Sequence, residues 1–404
     1  MNFNKKRNWQ DLLNLVEDYD YIYIYGFASA GKWINDKLNG KIKVLGFIEC
    51  DLKKSTHEHN GTKVIYYKDL LERKITKNKG KVLIINTVTE ISETWQKGLD
   101  LNPDLQVPLG LFLNDHPLSE VADVSGEFLG YFLNAVKESH SSYFLGQGIF
   151  LRSIDILVTE RCSMKCQDCS NLMQYYKKPE NIEVDQMINE IEILLSKIDH
   201  LYEIRLIGGE PFVNRHIYDM IAYSSNLKKV SYVVLFTNAT VPLNIEKLKN
   251  NGSNLKKISF QITNYGEELS RQLKQVTEGL DQLKIPYRAH SPEWWTDSGR
   301  IIHEDRTKEE LEVLFENCCG KNLLTLTDNK IYRCPFAANA DRLQGIPHNK
   351  ENYVEITASP KDIVKYTKDI KYLPACNYCK GRSWDSPQID PAIQTKKPLE
   401  YRKY

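Results

Sequence analysis

Apolar residues in the first 120 positions come in short β-rich runs separated by stretches of helical spacing. YIYIYG (21–26) is a strand that ends in glycine, and FASAGKWINDKL (27–38) then places Trp33, Ile34 and Leu38 on one helical face. KVLGFIECD (43–51), TKVIYY (62–67) and KVLIINTV (81–88) are further strands, with KDLLERK (68–74) helical between the last two. Strand–helix–strand repetition predicts a parallel α/β sheet over residues 1–120. Residues 121–150 are rich in Ser, Gly and His without sustained periodicity. They are expected to form a connector with one short helix around FLGYFLNAV.

A second alternating stretch covers 151–300. It opens with the strand SIDILVT, followed by a helix capped by Asp185 whose apolar face carries Met187, Ile188, Ile191, Leu194, Leu195 and Ile198. The strands YEIRLI, VSYVVLFT, KKISFQIT and IPYRAH follow, each separated by helix-like sequence. This pattern predicts a partial (β/α)6 barrel of the TIM type, in which chemistry gathers at the C-terminal ends of the strands. The remainder, 301–404, predicts a small α+β domain built on a hairpin, NLLTLT then KIYRC, with Asn329 in its turn. The end, QTKKPLEYRKY, reads as a solvated basic tail.

Composition changes this picture little. With 41% hydrophobic and 26% charged residues and a net charge of +1, the 404-residue chain gives no electrostatic case for nucleic acid or an anionic membrane as a partner. The N-terminus lacks the apolar core of a secretory signal and no stretch is long enough to span a bilayer, so a cytoplasmic location is expected. In that reducing setting nine cysteines are better read as metal ligands or reactive groups than as disulfides.

Cys162, Cys166 and Cys169 stand in a C-x3-C-x2-C spacing immediately after the first barrel strand, among polar neighbours that argue against core packing. Three thiolates can hold a [4Fe–4S] cluster and leave one iron open. Structural zinc needs a fourth ligand, which this stretch lacks. The context LVTERCSMKCQDC, with IGGEP at the end of the second barrel strand, resembles the radical S-adenosylmethionine (SAM) superfamily. The resemblance implies that the open iron binds the amino and carboxylate groups of SAM. It also implies that Gly208, Gly209, Glu210 and Pro211 lie at the amino group, and that Thr237, Asn238 and Thr263 contact ribose or carboxylate. Thr237, Asn238 and Thr263 are equally plausible as ordinary strand-end caps. One departure is Asp168, where this family usually has an aromatic residue beside the third cysteine.

The late cysteines resemble the shortened SPASM module called Twitch, which holds one auxiliary [4Fe–4S] cluster. The resemblance implies Cys319, Cys334, Cys376 and Cys379 as ligands, with Cys318 able to replace Cys319, and a zinc ribbon as the competing use of four cysteines. In the N-terminal part, Gly26, Ala28 and Gly31 form a G-x-A-x-x-G variant of the dinucleotide fingerprint, with Glu49 and Asp51 where a ribose-binding acid would lie. Small residues there equally serve a tight turn. This part also resembles, in a general way, the Rossmann-like domains attached to sugar-modifying enzymes.

AHSPEWWTDSG follows the fifth barrel strand, so His290, Glu293, Trp295 and Asp297 are candidates to face a polar substrate, with interdomain packing the alternative for the tryptophans. The expected activity is reductive cleavage of SAM to a 5'-deoxyadenosyl radical and hydrogen abstraction from a sugar or nucleotide-linked sugar. The outcome would be dehydrogenation, epimerisation or dehydration, with an electron donor such as flavodoxin or ferredoxin. Alternatives are a SPASM-type maturase of a ribosomal peptide, and a metal-binding scaffold protein without catalysis.

Overall fold

The computed structural model describes residues 3–73, 80–115, 128–383 and 386–404. Contacts divide it into two compact units, Met1–Arg152 and Ser153–Tyr404. The division falls beside residue 151, the expected start of the second alternating stretch.

The first unit begins with α1 (Trp9–Val16), whose start is fixed by a capping box between Asn8 and Asp11. There follow β1 (Tyr21–Tyr25), α2 (Ser29–Leu38), β2 (Val44–Glu49), β3 (Glu58–His59), β4 (Thr62–Tyr66), α3 (Tyr67–Arg73), β5 (Val82–Asn86), α4 (Ile91–Asp100), β6 (Leu105–Pro108) and α5 (Leu129–Leu145). The sheet order is β3-β4-β2-β1-β5-β6, all parallel except for the β3–β4 pair. Chain order reverses at β1, as in doubly wound sheets. Central β1 and β5 are buried along nearly their whole length because helices cover both faces.

The expected connector lies partly outside the described residues, and its described end is the helix α5. Leu133 and Val136 of α5 join the first unit's core, so this segment is part of the fold. Gly110 lets α5 approach closely, since a Cβ there would meet Val136 O at 2.4 Å. The Gly110 N–H donates to His140 Nδ1 at 3.0 Å, and His140 Nε2–H donates to Val88 O at 2.9 Å. Burial lowers this histidine to about 4, which keeps it neutral.

The second unit holds β7 (Phe150–Thr159), α6 (Val184–Lys197), β8 (His200–Gly208), α7 (Ile217–Asn226), β9 (Val230–Thr237), α8 (Ile245–Asn250), β10 (Ile258–Thr263), α9 (Leu273–Leu283) and β11 (Tyr287–His290). After these come β12 (Trp295–Thr296), α10 (Lys308–Asn317), β13 (Thr325–Thr327), β14 (Lys330–Tyr332), α11 (Pro335–Arg342), β15 (Tyr353–Glu355), α12 (Pro360–Lys368) and β16 (Gln388–Ile389). The cap of α6 is Glu183, and Asp185 sits in its first turn instead. Among the described residues no helix is long and apolar enough to cross a membrane.

The barrel strands form an eight-stranded sheet, β11-β10-β9-β8-β7-β13-β14-β15. β13 pairs in parallel with β7, Thr325 opposite Asp155, so the late hairpin extends the barrel sheet and 301–404 shares one body with 151–300. Asp328 and Asn329 both have positive φ, 52° and 58°, as a two-residue hairpin turn requires.

Gly31 packs the start of α2 against the end of β1, where a Cβ would lie 2.0 Å from Gly26 O. Gly31→Ala is expected to destabilise the first unit by about 1–3 kcal/mol. Urea unfolding followed by tryptophan fluorescence checks this, since Trp9 and Trp33 are in contact in that core.

Candidate functional site

The strand β7 ends at Thr159, and the chain turns through Glu160 and Arg161 into the cysteine loop. That turn is held to the end of β8 by backbone bonds: Gly209 N–H to Thr159 O at 3.0 Å and Glu210 N–H to Arg161 O at 2.9 Å. A Cβ on Gly208 would come within 2.2 Å of Thr159 O, and one on Gly209 within 2.2 Å of Arg161 O. The two glycines therefore allow two strand-end loops to pack backbone to backbone.

Glu210 completes the arrangement. It is fully buried and accepts from Phe212 N–H (3.2 Å), Thr237 Oγ1–H (2.9 Å) and Asn238 N–H (2.8 Å). Burial pushes its carboxyl up to about 7, against these three donors that pull it down. The carboxylate joins the ends of β8 and β9 because buried backbone N–H groups need an acceptor. Pro211 is buried at the start of a short 3-10 turn.

A cavity of about 520 Å³ opens at these strand ends. Its lining includes Cys162, Cys166, Cys169, Gly208, Gly209, Thr237, Asn238 and Thr263, all expected from the sequence. The hydroxyl of Thr237 is engaged by Glu210. Asn238 is oriented by Thr240 N–H, which donates to its Oδ1 at 3.0 Å and turns Nδ2 toward Cys162 Sγ at 3.7 Å. Burial raises all three thiols, Cys166 to about 11. Their thiolates need a bound cation to be stable, so the donor set fits a cluster of soft-ligand metal.

Asp168 lines the same cavity and pairs with Arg300. It thereby ties the segment around Gly299 onto the loop, since a Cβ on Gly299 would meet Asp168 O at 2.2 Å. The aromatic surface comes from elsewhere: Tyr265 and Trp295 lie edge to face at 5.8 Å, and Trp294 also lines the cavity.

Of the candidate substrate residues, only Trp295 reaches the lining. Asp297 instead pairs with Lys380 at 2.5 Å, and His290 and Glu293 are exposed residues outside the lining. Sequence reasoning missed Asp155, Arg205 and Arg382, which also line the cavity. Asp155 on β7 and Arg205 on β8 form a buried ion pair, with Glu203 4.0 Å from the guanidinium. The charged positions within SIDILVT and YEIRLI were the available signal. Arg382 is held by Ser298 Oγ at 3.0 Å.

Among the late cysteines, Cys318, Cys334, Cys376 and Cys379 share one small, apolar-lined cavity with Leu314, Phe315 and Phe336. Of the two alternatives expected before the hairpin, Cys318 lines this cavity and Cys319 lies outside its lining. Cys318 ends α10, donating its N–H to Phe315 O, whereas Cys319 N–H is drawn to Arg382 O at 3.1 Å and the residue lines the barrel cavity. Backbone N–H groups point at three of these sulfurs: Gly320 at Cys318 (3.4 Å), Ala337 at Cys334 (3.4 Å) and Gly381 at Cys379 (3.3 Å). Arg306 Nη1 holds the C-x2-C turn through Cys376 O and Cys379 O, both at 2.8 Å. Among the described residues no three Cys, His, Asp or Glu side chains converge on the position of a single metal ion.

In the first unit Gly26, Ala28, Gly31 and Glu49 come together at the ends of β1 and β2. Glu49 accepts from Phe27 N–H at 3.3 Å and pairs with Lys54. Its carboxylate takes a donor that a phosphate would need and brings a like charge to the turn. Asp51 caps the next turn through Lys53 N–H.

Residues 156–309 match the family model of the Radical SAM superfamily. The GTP 3',8-cyclase of Syntrophomonas wolfei subsp. wolfei is 28% identical over 137 residues, 32% of this chain and 39% of that protein. The GTP 3',8-cyclase of Alkaliphilus metalliredigens is 30% identical over 144 residues, 33% of this chain and 44% of that protein. The chain thus spans less than half the length of these curated relatives. Among solved structures, BtrN in complex with AdoMet and 2-DOIA aligns with 15% identity and a TM-score of 0.37, covering 62% of this chain and 98% of that one. Residues 156–309 are a radical SAM domain. The cofactors of such a domain are SAM and a [4Fe–4S] cluster.

Burial raises Glu203 from an ordinary 4.5 to about 7. The folded chain therefore holds a proton that the unfolded chain releases, and stability falls as pH rises from about 4.5 to 7. Glu203→Gln is expected to remove about 2–3 kcal/mol of that fall. Denaturation of both proteins at pH 4.5 and pH 8 checks it.

Proposed function

We propose that this protein is a radical SAM enzyme that abstracts hydrogen from a small polar substrate, a sugar or nucleotide-linked sugar, and so dehydrogenates, epimerises or dehydrates it. One observation carries the reading: the three cysteines, the glycine pair and Asn238 line the same cavity as Trp294, Trp295, Asp155, Arg205 and Arg382. When bound, SAM and a [4Fe–4S] cluster supply one-electron reduction and a 5'-deoxyadenosyl radical. The chain's own part is to hold, orient and enclose.

Cys162, Cys166 and Cys169 provide three soft ligands, and three rather than four leave one coordination position for SAM. Asn238 and Thr263 lie at the strand ends, where polar groups of SAM would be held. Indole faces next to paired charges suit a hydroxylated ring, which presents apolar C–H faces and polar edges. The relatives' name, GTP 3',8-cyclase, is that of enzymes acting on a nucleotide, and their match is confined to about a third of this chain. It supports the radical chemistry more than any one substrate. The engagement of Glu49 in the first unit favours a substrate recognised in the barrel over a nucleotide held at the glycine turn.

Cys318, Cys334, Cys376 and Cys379 are assigned to an auxiliary [4Fe–4S] cluster. Their cavity is apolar and backbone N–H groups face the sulfurs, the surroundings in which a thiolate cluster is stabilised. An external donor such as flavodoxin or ferredoxin would supply the electron.

Anaerobically reconstituted protein is expected to cleave SAM to 5'-deoxyadenosine under strong reduction, and Cys166→Ala to abolish this. Chromatographic detection of 5'-deoxyadenosine decides it, and no cleavage by the intact protein would sink the reading. Iron analysis should give about eight irons per chain. That number should fall by about four in Cys318→Ser and stay unchanged in Cys319→Ser, whereas zinc in place of four irons would make the late cysteines a ribbon.

A further inference from the structure

Residues 388–404, of which 394–404 are expected to be a solvated tail, fold back across the cysteine loop. β16 pairs with β12 through Trp295–Ile389, and the following chain runs antiparallel to the loop. Gln167 N–H donates to Ile393 O at 2.8 Å and Thr395 N–H to Lys165 O at 2.7 Å, with Cys166 directly opposite Gln394. Farther along, Leu399 N–H reaches Gln174 O at 2.9 Å and Glu400 pairs with Lys177 at 2.9 Å. Ala392 is buried against the cluster formed by Met164 and Cys166.

The side chain of Gln394 is fixed at both ends. Its Oε1 accepts from Lys165 N–H at 2.7 Å, a donor that only the amide oxygen can satisfy, so Nε2 must point the other way. The two Nε2 hydrogens then meet Ala392 O at 2.6 Å and Cys166 Sγ at 3.2 Å. Every donor and acceptor of this orientation is matched.

We propose that Gln394 is a positioning residue for the cysteine-loop cluster, its amide N–H donating to Cys166 Sγ and making the site easier to reduce. The inference rests on the reading that Cys162, Cys166 and Cys169 hold a [4Fe–4S] cluster. Reduction adds negative charge that is shared with the ligand sulfurs, and a donor aimed at a sulfur stabilises the more negative state. An N–H···S bond therefore raises the reduction potential, and its removal lowers it. The strap's backbone bonds set the position of this donor, which links residues more than 220 positions apart in sequence to one sulfur.

The test is a redox titration of the full reconstituted protein, following the SAM-responsive electron paramagnetic resonance signal. Gln394→Leu should lower the reduced-to-oxidised ratio at a fixed poise by about three- to tenfold, tenfold being about 59 mV for one electron. Gln394→Glu keeps the acceptor for Lys165 N–H, loses the donor and adds a charge, so it should move the ratio further the same way. Lys177→Met removes the strap's ion pair without touching sulfur and should leave the ratio unchanged.

An unmoved ratio in Gln394→Leu with full iron content overturns the inference, and so does an equal shift in Lys177→Met. If Gln394→Leu loses iron, Gln394→Glu is read in its place. Loss from both with intact circular dichroism also overturns tuning, in favour of a purely structural strap. A wild-type protein with no SAM-responsive signal sinks the reading of the site itself. A normal wild-type signal with unshifted variants sinks the inference alone.

Discussion

Two backbone hydrogen bonds, Gly209 N–H to Thr159 O and Glu210 N–H to Arg161 O, set where the cysteine loop can go. They require the end of β8 to lie against the turn leaving β7 with no side chain between them, which only glycine permits at 208 and 209. Glu210, buried in the same junction, then gathers the end of β9 through Thr237 and Asn238. Asn238 in turn faces Cys162. A chain of short contacts thus runs from a pair of glycines to a sulfur, and the cavity wall is its outer surface.

The same device recurs in the first unit. Glu49, at the end of β2, accepts from Phe27 N–H in the glycine turn and from Cys50 N–H. In both sheets an acid at a strand end turns toward backbone donors of the neighbouring loop. A strand-end acid that binds a ligand and one that braces a loop occupy the same place in sequence, so spacing alone cannot separate them. The two acids differ in burial: Glu210 has no exposed surface, whereas the Glu49 side chain keeps 16%.

Much of the architecture was legible because alternating strands and helices carry their period in short windows. β7 to β11, the hairpin turn at Asp328 and Asn329, and the location of the cysteine loop all follow from local pattern. The cavity lining was legible where a motif named it, as with Cys162, Cys166, Cys169 and Gly208. It was not legible where long-range pairing decides. Cys318 and Cys319 are adjacent and chemically identical, and which cavity each one lines follows from Arg382 O, far along the chain, drawing one N–H aside. Likewise the basic composition of 394–404 reads as a free end, because the partners of this segment, Lys165 and Gln174, lie far upstream.

The parallel pairing of β13 with β7 has a mechanical meaning. The strand that leads into the loop of Cys162 and the hairpin that leads to Cys334 share one ladder, Thr325 opposite Asp155 and Leu326 opposite Ile156. No linker intervenes at which one could swing against the other. The two sulfur groups are therefore carried by neighbouring strands of one sheet, and their separation is tied to that ladder.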